Sequence, residues 1–308
     1  MRILLAKEPF MQETILLFFQ NISSPFIDSF ANFASAVGEQ TFVIAVMLYI
    51  LWNLDKNKGF TICSTLLFSV MSMGLLKAIV RAPRPFQVLE SINGKRLATA
   101  TGYSFPSGHT TTGSSFYSSL AFAYKKRALS ILCAFMIILV GTSRLYLGVH
   151  WPIDVFGGLV LGIGITLIAY AKLSALYENK EKRYSFTIIV GSITFVLGLV
   201  LAILLNMHIV DEVAFTDLMK TLALAGGGYL GFAFEAKRVN YSVEASLRKK
   251  LLRFFLGMAG VITIMALKAL IPEAIYSVGA FTRYALLGFW GTGLFPFIGK
   301  RVLFSDAQ

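Results

Sequence analysis

Two histidines and one carboxylate stand where they could exchange protons over a bound anion. His109 ends the tetrad Pro106-Ser107-Gly108-His109, just after a loop rich in positive charge. His150 precedes Trp151-Pro152, and Asp154 follows four residues later, about one helical turn. A carboxylate at that offset can accept a hydrogen bond from one imidazole nitrogen. That sets the tautomer and leaves the other nitrogen free as a nucleophile. Lys77, Arg81 and Arg84 crowd the end of an apolar segment, and Arg144 falls at the end of another. Three cations within eight residues call for an anion rather than snorkelling alone. Fixed cations, two imidazoles, one carboxylate and a helix start form the inventory of phosphoryl transfer: charge clamps, a nucleophile and an acid for the leaving group. These residues alone do not choose the nucleophile between the two histidines. Three histidines in the whole chain make chance placement of this pair a poor explanation.

The elements that carry them must lie in lipid. The chain has 308 residues, 56% of them hydrophobic and 14% charged, with mean hydropathy +0.71. Soluble domains carry about 25% charged residues, so an all-α, polytopic membrane bundle is expected. Apolar stretches predict spans near 38–55, 58–80, 107–124, 127–146, 151–173, 184–206, 214–236, 251–271 and 277–298. Residues 8–37 contain Pro25 and Asp28 and fit either an interfacial helix pair or one broken pass. The N-terminus has no signal-peptide pattern, because Lys7 and Glu8 interrupt it. Cys63 and Cys133 lie inside apolar runs and read as core residues, not as a disulfide or metal site. No run of carboxylates and no HExxH pattern suggests a metal cage, and no cofactor is implied. The net charge of +12 could suggest nucleic acid, but the cations sit in alternate loops and argue for topology instead. Lys56 and Lys58, Lys125 to Arg127, Lys172 to Arg183, Lys237 to Lys250, and Lys300 with Arg301 would lie in the cytoplasm. The loop 82–106 and the turn 147–151 then face outward, and Arg84, Lys95 and Arg96 become exceptions that invite a functional reason.

Within the His109 segment, Pro106 suits a first helical turn, and Ser107 and Gly108 would sit at an exposed N-terminus whose free N–H groups favour an anion. Pro83 and Pro85 end the preceding helix and place Arg84 at the start of the loop. Lys77 and Arg81, four apart, would share a helix face.

Three motifs now combine. Lys77 is followed by six residues and then Arg84-Pro85; next comes Pro106-Ser107-Gly108-His109; then Ser143-Arg144, five residues, His150, three residues and Asp154. This resembles the three-part signature of the type 2 phosphatidic acid phosphatase (PAP2) superfamily over roughly residues 24–175. The resemblance implies that His150 is the nucleophile of a phosphohistidine intermediate and that Asp154 orients it. It implies His109 as general acid and then base, with Lys77, Arg84, Arg144, Ser107 and Gly108 binding the phosphoryl oxygens. Ser143 and Pro85 would support the site, and Arg81 lies outside the signature. It further implies a metal-independent enzyme acting on a lipid phosphate or diphosphate, such as undecaprenyl diphosphate, phosphatidylglycerol phosphate or phosphatidic acid. A bacterial plasma membrane, with the site on the extracytoplasmic face, is the expected setting.

Three regions follow from this reading: N-terminal helices over 1–37, a PAP2-type core over 38–178, and an accessory bundle over 179–308 with about four further helices. In the last, Gly227 and Gly231 have the spacing of close helix packing. By topology Asp217, Lys220, Lys268 and Arg283 fall in the outer half of their helices, on the catalytic side. They read as snorkelling residues or an Asp217–Lys220 pair, or, for Lys268 and Arg283, as contacts to a lipid head group. Two other activities compete: a phosphotransferase using the same site with a second lipid or glycan as acceptor, and a transporter with a vestigial site. Partners are the lipid substrate and membrane lipids, without nucleic acid; the oligomeric state is not legible.

Overall fold

The structure is a computed structural model that describes residues 9–304. Helices and loops account for all of them, and no strand occurs among the described residues. The chain divides into two compact units, Met1–Val43 with Phe68–Ala169 and Ile44–Leu67 with Tyr170–Gln308.

The first unit opens with α1 (Pro9–Asn21) and α2 (Pro25–Ala36). The hydroxyl of Ser24 accepts from Ile27 N, and Pro25 follows at N1, where its missing N–H costs nothing. The unit then takes the start of α3 (Gln40–Asn53), the end of α4 (Lys56–Val80), the short α5 (Pro85–Val88), α6 (Gly108–Tyr124), α7 (Arg127–Tyr146) and most of α8 (Pro152–Glu178). Two small residues let α7 lie close: a Cβ on Gly38 would stand 2.6 Å from Val140, and one on Gly113 3.4 Å from it. On α8, a Cβ at Gly158 would come within 2.9 Å of Ser107 O, and one at Gly162 would collide with Ser114 Oγ and lie 2.7 Å from Thr111 O. These glycines seat α8 directly on α6, and Ser114 Oγ donates to Gly158 O at 3.2 Å across the contact.

The second unit holds α9 (Lys180–Asn206), α10 (Glu212–Arg238), α11 (Leu247–Ala266) and α12 (Tyr276–Phe289), followed by a π-helical turn over Trp290–Leu294 and the short α13 (Phe295–Ile298). Its core includes Ala202, Leu205, Met219, Ala223, Ala280 and Phe281. Gly227 abuts the Ala285 carbonyl and Gly231 the Thr292 hydroxyl, the close packing that their spacing predicts. Asp217 and Lys220 do pair, at 3.3 Å. Arg283 donates to Met265 O at 3.0 Å.

By length and apolarity, Lys56–Val88, Arg127–Tyr146, Pro152–Glu178, Lys180–Asn206 and Leu247–Leu270 can each cross a membrane, and α2 with α3 passes jointly despite a 46° bend. The expected span 277–298 is interrupted by the π turn, which contains Gly291 and Gly293 and is followed by Pro296.

Candidate active site

Everything chemical singled out between Lys77 and Asp154 lies in the first unit. Helix α7 ends at Tyr146, Gly148 takes a positive φ of 66°, and α8 restarts at Pro152. That tight turn buries His150 to 1% exposure and Asp154 to 0%. Asp154 Oδ2 accepts from Trp151 N at 2.8 Å, stands 3.3 Å from His150 Nδ1, and accepts from the Ser104 hydroxyl. Ser104 Oγ is also 3.4 Å from His150 Nδ1. With the proton on Nδ1 and turned toward Asp154, Nε2 presents its lone pair to Arg84 Nη1 at 3.2 Å.

Arg84 is itself locked by carbonyls. Its guanidinium donates to Thr101 O at 2.6 Å, Val149 O at 2.9 Å and Gly102 O at 3.1 Å. Lys77 is buried and donates to the carbonyls of Tyr103 and Ser104. Burial, then Arg84, Lys77 and Arg144, hold the His150 imidazole well below its ordinary pKa of 6.5. His150 is therefore neutral at physiological pH, the form a nucleophile needs.

The start of helix α6 adjoins this cluster. Ser107 is its N-cap, and the Ser107 hydroxyl accepts from Thr110 Oγ1 at 2.9 Å. The Ser107 N–H donates to Asp154 O at 2.9 Å, so backbone atoms tie the starts of α6 and α8 together at the site. Pro106 lies before the cap, not in the first turn: the hydroxyl of Ser107 satisfies an N-terminal donor, so the helix begins one residue later, at Gly108. Ser107 is also fully buried, not exposed as expected. A Cβ on Gly108 would meet only Met73 Cε, at 3.7 Å.

Arg144 is 0% exposed. Its Nη1 donates to Ser35 Oγ at 2.5 Å, while Nε and Nη2 are buried without a hydrogen-bond partner. A guanidinium in that condition favours a bound anion. His109 Nε2 lies 3.7 Å from Glu39 Oε1, and Glu39 in turn meets Arg96 Nη2 at 2.5 Å.

The remaining predicted residues stand apart from this cluster. Arg81 is exposed; α4 ends at Val80, and Arg81 turns into the left-handed region (φ 51°) with its Nε donating to Ala78 O. It does not share a face with buried Lys77, because the helix on which they would align stops between them. Ser143 Oγ donates back to Val140 O at 2.7 Å within its own helix. Pro85 is buried and starts α5. Of the two other cations in the loop 82–106, Lys95 pairs with Asp28 at 2.5 Å and Arg96 with Glu39, so both tie the loop to N-terminal elements. Sequence reasoning passed over Ser104, Ser35 and Glu39. Ser104 stands two residues before Pro106, which was its one local signal. No group of three or more metal-ligating side chains occurs among the described residues.

Comparison with known proteins gives two family matches: "PAP2 superfamily" over residues 58–178 and "PAP2 superfamily phosphatase, transmembrane extension" over residues 219–306. The chain is 35% identical over 152 residues to the putative undecaprenyl-diphosphatase YbjG of Escherichia coli K12, covering 46% of this chain and 73% of that protein. It is 29% identical over 208 residues to a probable sphingosine-1-phosphate phosphatase of Dictyostelium discoideum, covering 63% of this chain and 48% of that one. The chain thus spans about half the length of the Dictyostelium relative. The crystal structure of Aquifex aeolicus LpxE matches 53% of this chain and 96% of its own, with 25% identity and a TM-score of 0.48.

Proposed function

We propose that this chain, which belongs to the PAP2 superfamily, hydrolyses a lipid phosphate or diphosphate through a phosphohistidine on His150. The observation that carries this reading is the placement of His150: buried, with Nδ1 3.3 Å from Asp154 Oδ2 and Nε2 3.2 Å from Arg84 Nη1. Nε2 attacks phosphorus, the bond from phosphorus to the leaving oxygen breaks, and His109 gives that oxygen its proton. Water then attacks the phosphohistidine, His109 takes the water proton, and phosphate leaves with His150 restored. Lys77, Arg84 and Arg144 offset the charge on the phosphoryl oxygens, and the α6 N-terminus with Ser107 and Gly108 adds backbone donors.

The apolar helices around the site suit a substrate whose tail stays in lipid. The matched relatives carry names for different substrates, one a diphosphate and one a monophosphate, so the head group is to be measured. Alternation of the basic loops supports a site on the extracytoplasmic face of the plasma membrane.

Phosphate release by detergent-purified protein, with EDTA present, tests the reading. The panel holds undecaprenyl diphosphate, phosphatidylglycerol phosphate, phosphatidic acid and sphingosine phosphate, with His150→Ala as control. Release from at least one lipid, abolished in His150→Ala, is expected. Release that requires a second lipid would establish a phosphotransferase; none under either condition would overturn both activities.

A further inference from the structure

We infer that Glu39 is a positioning residue for His109, serving it as Asp154 serves His150. The inference rests on the phosphatase reading above, in which His109 is the proton donor. Glu39 lies in the bend between α2 and α3, seventy residues before His109 in the chain and outside every motif that pointed to the site.

The groups that face His109 make the case. Arg144 approaches from α7, Arg96 from the outward loop, His150 from the turn between α7 and α8, and Glu39 from the α2–α3 bend. Two are fixed cations, and His150 is neutral. A proton donor must hold a proton to give; burial opposes that first, and cations on two sides add to it. Glu39 is the carboxylate that offsets them: its Oε1 lies 3.7 Å from Nε2, an atom that is buried and has no hydrogen-bond partner. That distance is an ion-pair distance, and an approach of roughly 0.8 Å would bring it to an ordinary hydrogen bond.

The carboxylate is itself held. Arg96 Nη2 grips Oε1 at 2.5 Å, while Arg96 Nη1 donates to Asn32 O at 2.7 Å. Arg96 therefore fastens Glu39 to α2. The Glu39 amide donates to Ala36 O at 3.0 Å, and its carbonyl accepts from Val43 N at 3.1 Å, which anchors the backbone in the bend. The arrangement repeats the logic of the other histidine, with the carboxylate supplied by a distant element instead of the next helical turn.

The test is Glu39→Gln, which keeps shape and removes charge, beside Glu39→Asp. Glu39→Gln is expected to lower kcat about tenfold with KM within about twofold, a part of the 10²–10⁴ that general acids supply. The limb of the pH–rate profile on which activity falls with rising pH should move about one unit lower. Glu39→Asp should recover part of both. In a His109→Ala background, Glu39→Gln should cost nothing further, whereas a structural defect would add to the first loss. A readout independent of turnover is the NMR titration of the imidazoles, easily assigned with three histidines in the chain. His109 should lose its proton at lower pH in Glu39→Gln than in the wild type. An unmoved His109 titration would overturn the inference even if phosphate release is normal. A moved titration in a protein that releases no phosphate would leave the Glu39–His109 pair standing and overturn the phosphatase reading instead.

Discussion

At the scale of single residues, the proposed site is a set of buried charges whose balance a bound phosphoryl group would complete. Arg144 shows this most clearly, being fully buried with two guanidinium nitrogens unpartnered. A buried guanidinium with no carboxylate hydrogen-bonded to it is costly to hold in the fold. Arg144→Met is therefore expected to lower kcat/KM by about 10²–10³ while leaving the thermal midpoint unchanged or higher. Inorganic phosphate should raise the midpoint of the wild type more than that of the variant. A variant with near-normal kcat/KM and a lower midpoint would assign Arg144 to the fold instead. Much of this level was legible. Lys77, Arg84, Ser107, Gly108, His109, Arg144, His150 and Asp154 stand in short local patterns, and their charged members are uncommon in lipid. Ser35 and Glu39 were not legible, because a lone serine or glutamate has no local pattern; Ser35 meets Arg144 across 109 positions of chain. Arg81 was misplaced because helical spacing was carried one residue past the end of its helix.

At the scale of elements, the site depends on how closely α8 lies against α6. The Ser107 N–H to Asp154 O bond and the Ser114 to Gly158 bond both cross that contact. Gly158 and Gly162 make it; they share the four-residue spacing of Gly227 and Gly231, so this contact was legible in the sequence, yet the spacing was read only at the second pair. A methyl at Gly162 meets the backbone oxygen of Thr111 at 2.7 Å as well as Ser114 Oγ, so a side-chain rotation cannot relieve it. Gly162→Ala is expected to cost about 1–3 kcal/mol of stability, read as a lower thermal midpoint, and to reduce kcat by displacing Asp154 from Ser107. Gly164, which has nothing within 4 Å of its added Cβ, is the matched control, and Gly164→Ala should change neither. Equal midpoints for the two variants would contradict the close-packing account.

At the scale of the whole molecule, apolar composition pointed to an all-helical membrane chain, and the described residues form helices throughout their ordered elements. The ends of those helices were less legible. The stretch 277–298 is apolar enough to read as one span, but composition does not register the π turn that interrupts it. The proposed membrane orientation rests on loop charge, and labelling tests it. Cys63 and Cys133 are buried, so single cysteines can be introduced against a low background. In intact cells, Ala98→Cys in the exposed outward loop should react with a membrane-impermeant thiol reagent, while Lys126→Cys should react only after permeabilisation. The reverse pattern would place the site in the cytoplasm.

The most direct test of the central claim is to find where phosphorus goes. Purified protein would be mixed with a turned-over lipid carrying labelled phosphate, quenched in alkali within a turnover, and digested. The account predicts label on the peptide containing His150 and none in His150→Ala. Label on His109, or phosphate released at full rate by His150→Ala, would contradict it.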